Sequence, residues 1–165
     1  MSNKTPKKPD AATGSARKPN FTRLLLGIAL VVFGIFVVVT SVISLTDNKQ
    51  RMLAPNGFMT IEIADTPDSR YAGLSNRSNL DEDSGLMFVF DNTSINHCLV
   101  MRDMNFSIDM IWLNEQKEVV TVTPDVAPET YPEVFCPSEP AKYALEVNSG
   151  QAERYGITED EQLRF

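Results

Sequence analysis

Two cysteines, one histidine and an acid set among apolar residues are the groups in this chain with chemistry to offer. Cys98 and Cys136 are the only thiols and His97 is the only imidazole. His97 adjoins Cys98, but neighbours in a strand point to opposite faces, so a thiol–imidazole dyad would need a bulge between them. No Cys-x-x-Cys motif occurs. The two thiols suit a bridge, which would close a loop of about 39 residues and stabilise the fold by on the order of 4 kcal/mol in the chain-entropy model. Two free, buried thiols are the alternative, since cysteine packs as a small hydrophobe. One histidine and two distant cysteines match no zinc pattern, and the acidic LDEDSG at 80–85 lacks the ligand spacing of a calcium loop. No metal and no cofactor are therefore expected, and 80–85 reads as a solvated turn.

The acid is Asp109, within FSIDMIWL at 106–113. Strand alternation puts Phe106, Ile108, Met110 and Trp112 on one face and Ser107, Asp109, Ile111 and Leu113 on the other, so both faces read as buried. An ionised carboxylate in that setting loses several kcal/mol unless it is paired. Arg102 is the nearest partner in sequence, with Arg70 and Arg77 as others, because the guanidinium fork matches a half-buried carboxylate. The structural reading is an ion pair, or a carboxylate capping backbone N–H groups at a sharp turn. The functional reading is a general acid or base, or an anchor for a ligand. Arg102, Asp109, Asp103 and His97 form the candidate ligand-binding set, the last two on the expectation that they share one face of a strand at 97–104. Met101, Met104 and Met110 read as core filler. No nucleophile-elbow, zinc-protease, phosphate-loop or dinucleotide motif occurs, so no catalytic residue is assigned.

These groups need elements to hold them, and short alternating runs dominate from Gly57 onward. FMTIEIA (58–64), LMFVF (86–90), 106–113, EVVTVT (118–123) and KYALEV (142–147) read as strands, six or seven in all with 97–104 undecided. In the last, Tyr143, Leu145 and Val147 are expected inward and Lys142 and Glu146 outward. Thr66, Pro67 and Asp68 mark the start of a short helix that stops near Gly73. A second follows Asn148 or Ser149 as cap and ends at Gly156. The prolines at 124, 128, 132, 137 and 140 predict a long loop over 124–140. The expected fold is α+β: a mostly antiparallel, rolled or barrel-like sheet with two short helices, preceded by one transmembrane helix.

That membrane segment is LLLGIALVVFGIFVVVTSVISL, residues 24–45, which carries no charge. A helix of that length spans roughly 33 Å, enough to cross a hydrocarbon core. It exceeds the apolar region of a cleaved signal, and SVISLTDN offers no small-x-small cleavage site. Six basic residues precede it, so the amino terminus is expected in the cytoplasm and the carboxyl-terminal domain outside, where thiols can oxidise. Residues 1–23 are expected to be a disordered basic tail, 46–56 a linker and 57–165 the domain. Residues 46–165 hold nine basic and 21 acidic groups, a net charge of −12, which disfavours nucleic acid and anionic lipid surfaces as partners.

The order IADTPDSRYAGL (63–74), GLMFVF (85–90), MRDMNFSIDMIWL (101–113), CPSEPAKYALEVNSG (136–150) and RYGI (154–157) resembles the family called domain of unknown function 192. In that family the central block commonly reads Met-Lys-Asn followed by Pro-Leu-Asp. Here Met101, Arg102 and Asp103, then Ser107, Ile108 and Asp109, stand in those places, so the proline is gone. Relatives often carry two cysteines in the loop before the last strand; Cys136 matches the second, Glu129 sits about where the first would be, and Cys98 becomes the substitute partner. The resemblance implies a small barrel-like domain, frequently exported or membrane-anchored, and supplies no reaction.

Three functions fit these readings. The first is a non-catalytic, membrane-tethered module that binds a small ligand, glycan or envelope protein through the proline-rich loop and the Arg102–Asp109 region. The second is an envelope hydrolase using Asp109 as acid or base. The third is an accessory subunit whose anchor packs against a partner, with Gly27 and Gly34 on one side of the helix.

Overall fold

The computed structural model describes Leu25, residues 27–37 and residues 48–165. The chain divides into two units, Met1–Thr46 and Asp47–Phe165. In the first, residues 27–37 are helical with exposed side chains. The rest of the expected span at 24–45 and the basic tail lie outside the described residues. No helix among the described residues is long and apolar enough to cross a membrane.

The second unit is an α+β domain built on one six-stranded sheet. Its strands are β1 (Lys49–Ala54), β2 (Gly57–Ala64), β3 (Ser84–Ser94), β4 (Ile108–Leu113), β5 (Val119–Val126) and β6 (Ala141–Asn148), in the order β1-β2-β3-β6-β4-β5. Every pairing is antiparallel except β2 with β3. That parallel pair is joined by helix α1 (Pro67–Ala72), the crossover a parallel connection requires. Helix α2 (Gln151–Arg154) follows β6. The expected barrel-like closure does not occur: β1 and β5 are opposite edges of an open sheet. The segment near the carboxyl end reaches both edges instead, with Arg164 bridged to Leu53 of β1 and Gln162 to Glu118 beside β5.

Both faces of this sheet are buried. One carries Met52, Met59, Ile61, Met87, Ile111, Leu145 and Val147, covered by Ala152 and Tyr155 around α2 and by Leu163. The other carries Leu86, Phe88, Ile108, Met110, Trp112 and Ala144, covered by Leu74 and Met101. All six side chains of β4 are buried, as the two-faced reading of 106–113 requires.

Helix α1 has the expected start. Thr66 accepts the Ser69 amide while the Ser69 hydroxyl accepts the Thr66 amide, Pro67 takes the first position, and Gly73 ends the helix at φ 51. Four local expectations need correction. The stretch read as a linker, 46–56, contains β1, whose first three residues are polar and exposed and so hide the strand pattern. The segment 97–104 is not a strand; Leu99 alone makes an isolated bridge, to Phe135. The loop expected over 124–140 begins later, because β5 continues through Pro124 to Val126, which an edge strand tolerates where a central one would not. Glu146, expected outward, is buried, because β6 is central and covered on both sides.

Candidate functional site

Asp109 is fully buried, and both of its oxygens are occupied by backbone. Oδ1 accepts the Asp125 amide at 2.9 Å and Oδ2 accepts the Ala152 amide at 2.9 Å. The second bond caps α2, which Asn148 and Ser149 do not: the cap residue is Gly150, at φ 81, with no side chain to offer. A carboxylate from a neighbouring strand supplies what the cap lacks. The first bond depends on a bulge. Thr123 pairs with Met110 and Val126 with Ile108, so β5 spends one residue more than β4, and Asp125 takes a positive φ of 50 that turns its amide to Asp109. The Ser149 hydroxyl donates to Asp125 Oδ1 at 2.7 Å, which ties the bulge to the end of β6. This is the capping role foreseen as one alternative, and it leaves the carboxylate no exposed atom for chemistry.

None of the three candidate arginines meets Asp109. Arg70 donates to the carbonyls of Asp65 and Val89 and to the Asp91 carboxylate. Arg77 forms a two-bond fork with Glu62, 2.9 Å on each arm. That hydrogen bonding holds Glu62 below the usual carboxylate range and raises Arg77. Arg102 lies over the Tyr71 ring, 4.1 Å from its centroid, donates to the Tyr71 carbonyl, and keeps Asp103 at 3.8 Å. His97 is elsewhere: its ring stacks on Phe90 at 3.8 Å, Nε2 meets the Asn92 carbonyl, and its own carbonyl accepts the Trp112 indole N–H. Of the four sequence candidates, Arg102 and Asp103 are adjacent, and Asp109 and His97 hold other parts of the fold together.

Cys98 and Cys136 are joined as a disulfide. With the neighbouring Leu99–Phe135 bridge it pins the segment before β6 to the segment before β4. Cys98 also lines a cleft of about 200 Å³ on the second face of the sheet, walled by Tyr71, Leu74, Phe88 and Leu99, with Arg102 among its charged residues.

Glu146 lines the same cleft, and sequence reasoning missed it. Only 5% of the residue is exposed, and its Oε2 has no hydrogen-bond partner. Its neighbours across the sheet are the apolar Leu86 and Met110. Burial pushes its carboxyl up to about 8, and the positive field of Arg77 pulls only partly the other way. At neutral pH it is thus mainly a neutral acid, able to donate a hydrogen bond. A signal was available: Ala144 shares its face, and a sheet apolar on both sides leaves no solvent for a central strand. A buried, unpaired acid in a cleft is what sites for acid–base chemistry and for ligand capture have in common. Among the described residues no group of three His, Cys, Asp or Glu side chains is placed to hold a metal ion.

The fold has solved counterparts. A Sinorhizobium meliloti 1021 protein, named a candidate transcription regulator, matches at a TM-score of 0.63 and 26% identity over 69% of this chain and 89% of that one. A protein of unknown function from Novosphingobium aromaticivorans DSM 12444 matches at a TM-score of 0.61 and 22% identity, over 71% and 84% of the two chains. The chain is similar to both in fold. No protein of curated function matches it. The profile of the DUF192 family, described as an uncharacterised ACR, matches residues 50–165, which takes in all but the first residue of β1 and every later element of the sheet; the chain belongs to that family.

Proposed function

We propose that the domain is a ligand-binding module whose site is the cleft over Glu146, held outside the cytoplasm by the apolar segment 24–45. One observation carries the binding reading: Glu146 is buried with an unpartnered oxygen in a cleft that has apolar walls and a charged lining residue, Arg102. An orphaned buried polar atom of this kind is destabilising by about 1–3 kcal/mol, which an arriving hydrogen-bond partner relieves. The extracytoplasmic reading draws on the uncharged run at 24–45, the basic residues before it and the disulfide. The site differs from the one expected of the sequence, since Arg102 stays in it and Asp109 leaves it.

The test is crystallographic soaking of the full chain with a fragment panel, alongside Glu146→Leu. Density against Tyr71, Leu99 and Glu146, absent in the variant, supports the module. Fragments that collect elsewhere and ignore the substitution remove it. Protease added to intact cells or spheroplasts should trim residues beyond 48 and spare the amino terminus; the reverse pattern would overturn the orientation.

A second reading is favoured by the raised Glu146 carboxyl, which is poised as a general acid near neutral pH. It moves the hydrolase idea from Asp109 to Glu146. Glu146→Gln would then bind substrate without turnover, whereas in a pure binding module no turnover exists to lose.

A further inference from the structure

We propose that the Glu146 cleft takes a small organic carboxylate that carries a second oxygen, its carboxylate against Arg102 and the second oxygen accepting a hydrogen bond from Glu146. The inference deepens the binding reading above and rests on it.

Three properties of the cleft select this class. The first is charge. Arg70 and Arg102 line the cleft and the field of Arg77 reaches Glu146; their acid partners Asp91, Asp103 and Glu62 are not part of the lining, so the charged groups facing the cleft are two cations and one buried acid. Arg70 is committed to Asp91 and two carbonyls, whereas Arg102 donates a single hydrogen bond, to Tyr71; its ion pair with Asp103, at 3.8 Å, is too long for a hydrogen bond and leaves N–H groups for an incoming anion. Stacking on Tyr71 fixes the guanidinium plane, which suits a two-point contact with a carboxylate. An amine of the same shape would meet Arg70 and Arg102 in a cleft whose lining holds no acid besides the buried Glu146.

The second is the state of Glu146. No His, Lys or other acid lines the cleft: its charged lining is Arg70 from α1 and Arg102 from the loop after β3, Arg77 from the loop after α1 acts on Glu146, the acids Asp91, Asp103 and Glu62 pair with these three arginines, and the apolar Leu86, Phe88 and Met110 face Glu146 from β3 and β4. Cys98 is locked in the disulfide. Burial therefore keeps the carboxyl protonated through neutral pH, and a protonated carboxyl offers an O–H to an acceptor. The third is size. A cleft of about 200 Å³ is below the usual range of about 300–1,000 Å³ for drug-sized ligands, and its Tyr71, Leu74, Phe88 and Leu99 walls call for a short apolar body between the two oxygen-bearing ends.

The experiment is calorimetric titration of the full chain in detergent with 4-oxopentanoate, pentanoate, 2-pentanone and pentylamine. The keto acid should bind most tightly, pentanoate and the ketone each about tenfold more weakly for want of one contact, and the amine least. Arg102→Gln should cut affinity for the keto acid by about tenfold while leaving the ketone unchanged. Between pH 6.5 and 9.5 the wild-type affinity should fall roughly thirtyfold as Glu146 ionises; in Glu146→Gln, which keeps a donor in the same place, it should stay flat. If the amine or the ketone binds as well as the keto acid, or Arg102→Gln changes nothing, the carboxylate class is wrong while the cleft remains a binding site. If none of the four probes binds, the carboxylate inference fails, and fragment soaking of the same cleft reports separately on the binding reading.

Discussion

Removing the Asp109 carboxylate tests whether this acid is a keystone of the fold or a group with chemistry to do. Its two oxygens each accept one backbone amide at 2.9 Å, from Asp125 and Ala152, in a place with no solvent to substitute for them. Hydrogen bonds to a charged group contribute about 1.5–3 kcal/mol each, so Asp109→Ala should destabilise by about 3–6 kcal/mol, with both amides orphaned. Asp109→Asn keeps one acceptor and turns an N–H₂ against the other amide, and should lose about 2–3 kcal/mol. With a urea m-value near 2 kcal/mol/M, the alanine variant should unfold about 2 M earlier than the parent. The readout is equilibrium urea denaturation followed by Trp112 fluorescence, since that indole is fully buried. Hydrogen exchange should localise the damage to α2 and to the Pro124–Asp125 bulge, the two places the carboxylate holds. A midpoint that moves by less than about 0.5 M would refute the reasoning and return Asp109 to the list of candidate acids.

Two further outcomes follow from the same geometry. Because the folded pKa of Glu146 is raised from 4.5 to about 8, the folded state holds a proton that the unfolded chain has lost between those values. Its contribution is therefore greatest below pH 4.5, is lost as pH rises towards 8, and amounts to several kcal/mol. Urea melts of Glu146→Gln should accordingly match the parent near pH 5 and exceed it near pH 8.5; a parallel decline in both proteins would place the titration elsewhere. Reducing the disulfide, or replacing Cys98 and Cys136 together with Ser, should destabilise by on the order of 4 kcal/mol, with exchange protection lost first at Leu99 and Phe135. Unchanged melts under reductant would mean that the Leu99–Phe135 bridge and the packing beneath it hold these segments unaided.

Much of the fold was legible where local chemistry and burial agree. The Thr66-Pro67 start of α1, the double-faced β4 and the pairing of the two cysteines all follow from patterns within a few residues or from a short inventory. The parts that were not legible depend on what lies across the sheet. β1 begins with three polar, exposed residues, and only its pairing with β2 makes it a strand. Glu146 shares its strand face with Lys142 and Ala144, a polar–apolar–polar run that reads as exposed; its burial comes from β3 and β4 on either side and from the loop after α1. Asp109 was recognisable as a buried acid needing a partner, but its partners are amides of Asp125 and Ala152, set by a bulge and a glycine cap that carry no charge to search for. Thus the acid that stood out by its apolar neighbours is structural, and the acid in the cleft was masked by an ordinary alternating run.

The bridges from Arg164 to Leu53 and from Gln162 to Glu118 bear on how the chain survives its own synthesis. An open sheet has two edges, and each is a template for strands from other chains. In the finished domain one short segment shields part of both, as a clasp shared between them. That clasp is also the last of these pieces to be made, more than a hundred residues after the β1 strand it protects. Until it arrives, both edges stand bare, and closing such distant contacts is slow compared with forming a hairpin. The interval between making β1 and seating Arg164 beside it is therefore the period in which neighbouring chains compete for the same hydrogen bonds, and crowding nascent chains together should cost this domain more yield than raising its temperature by a few degrees.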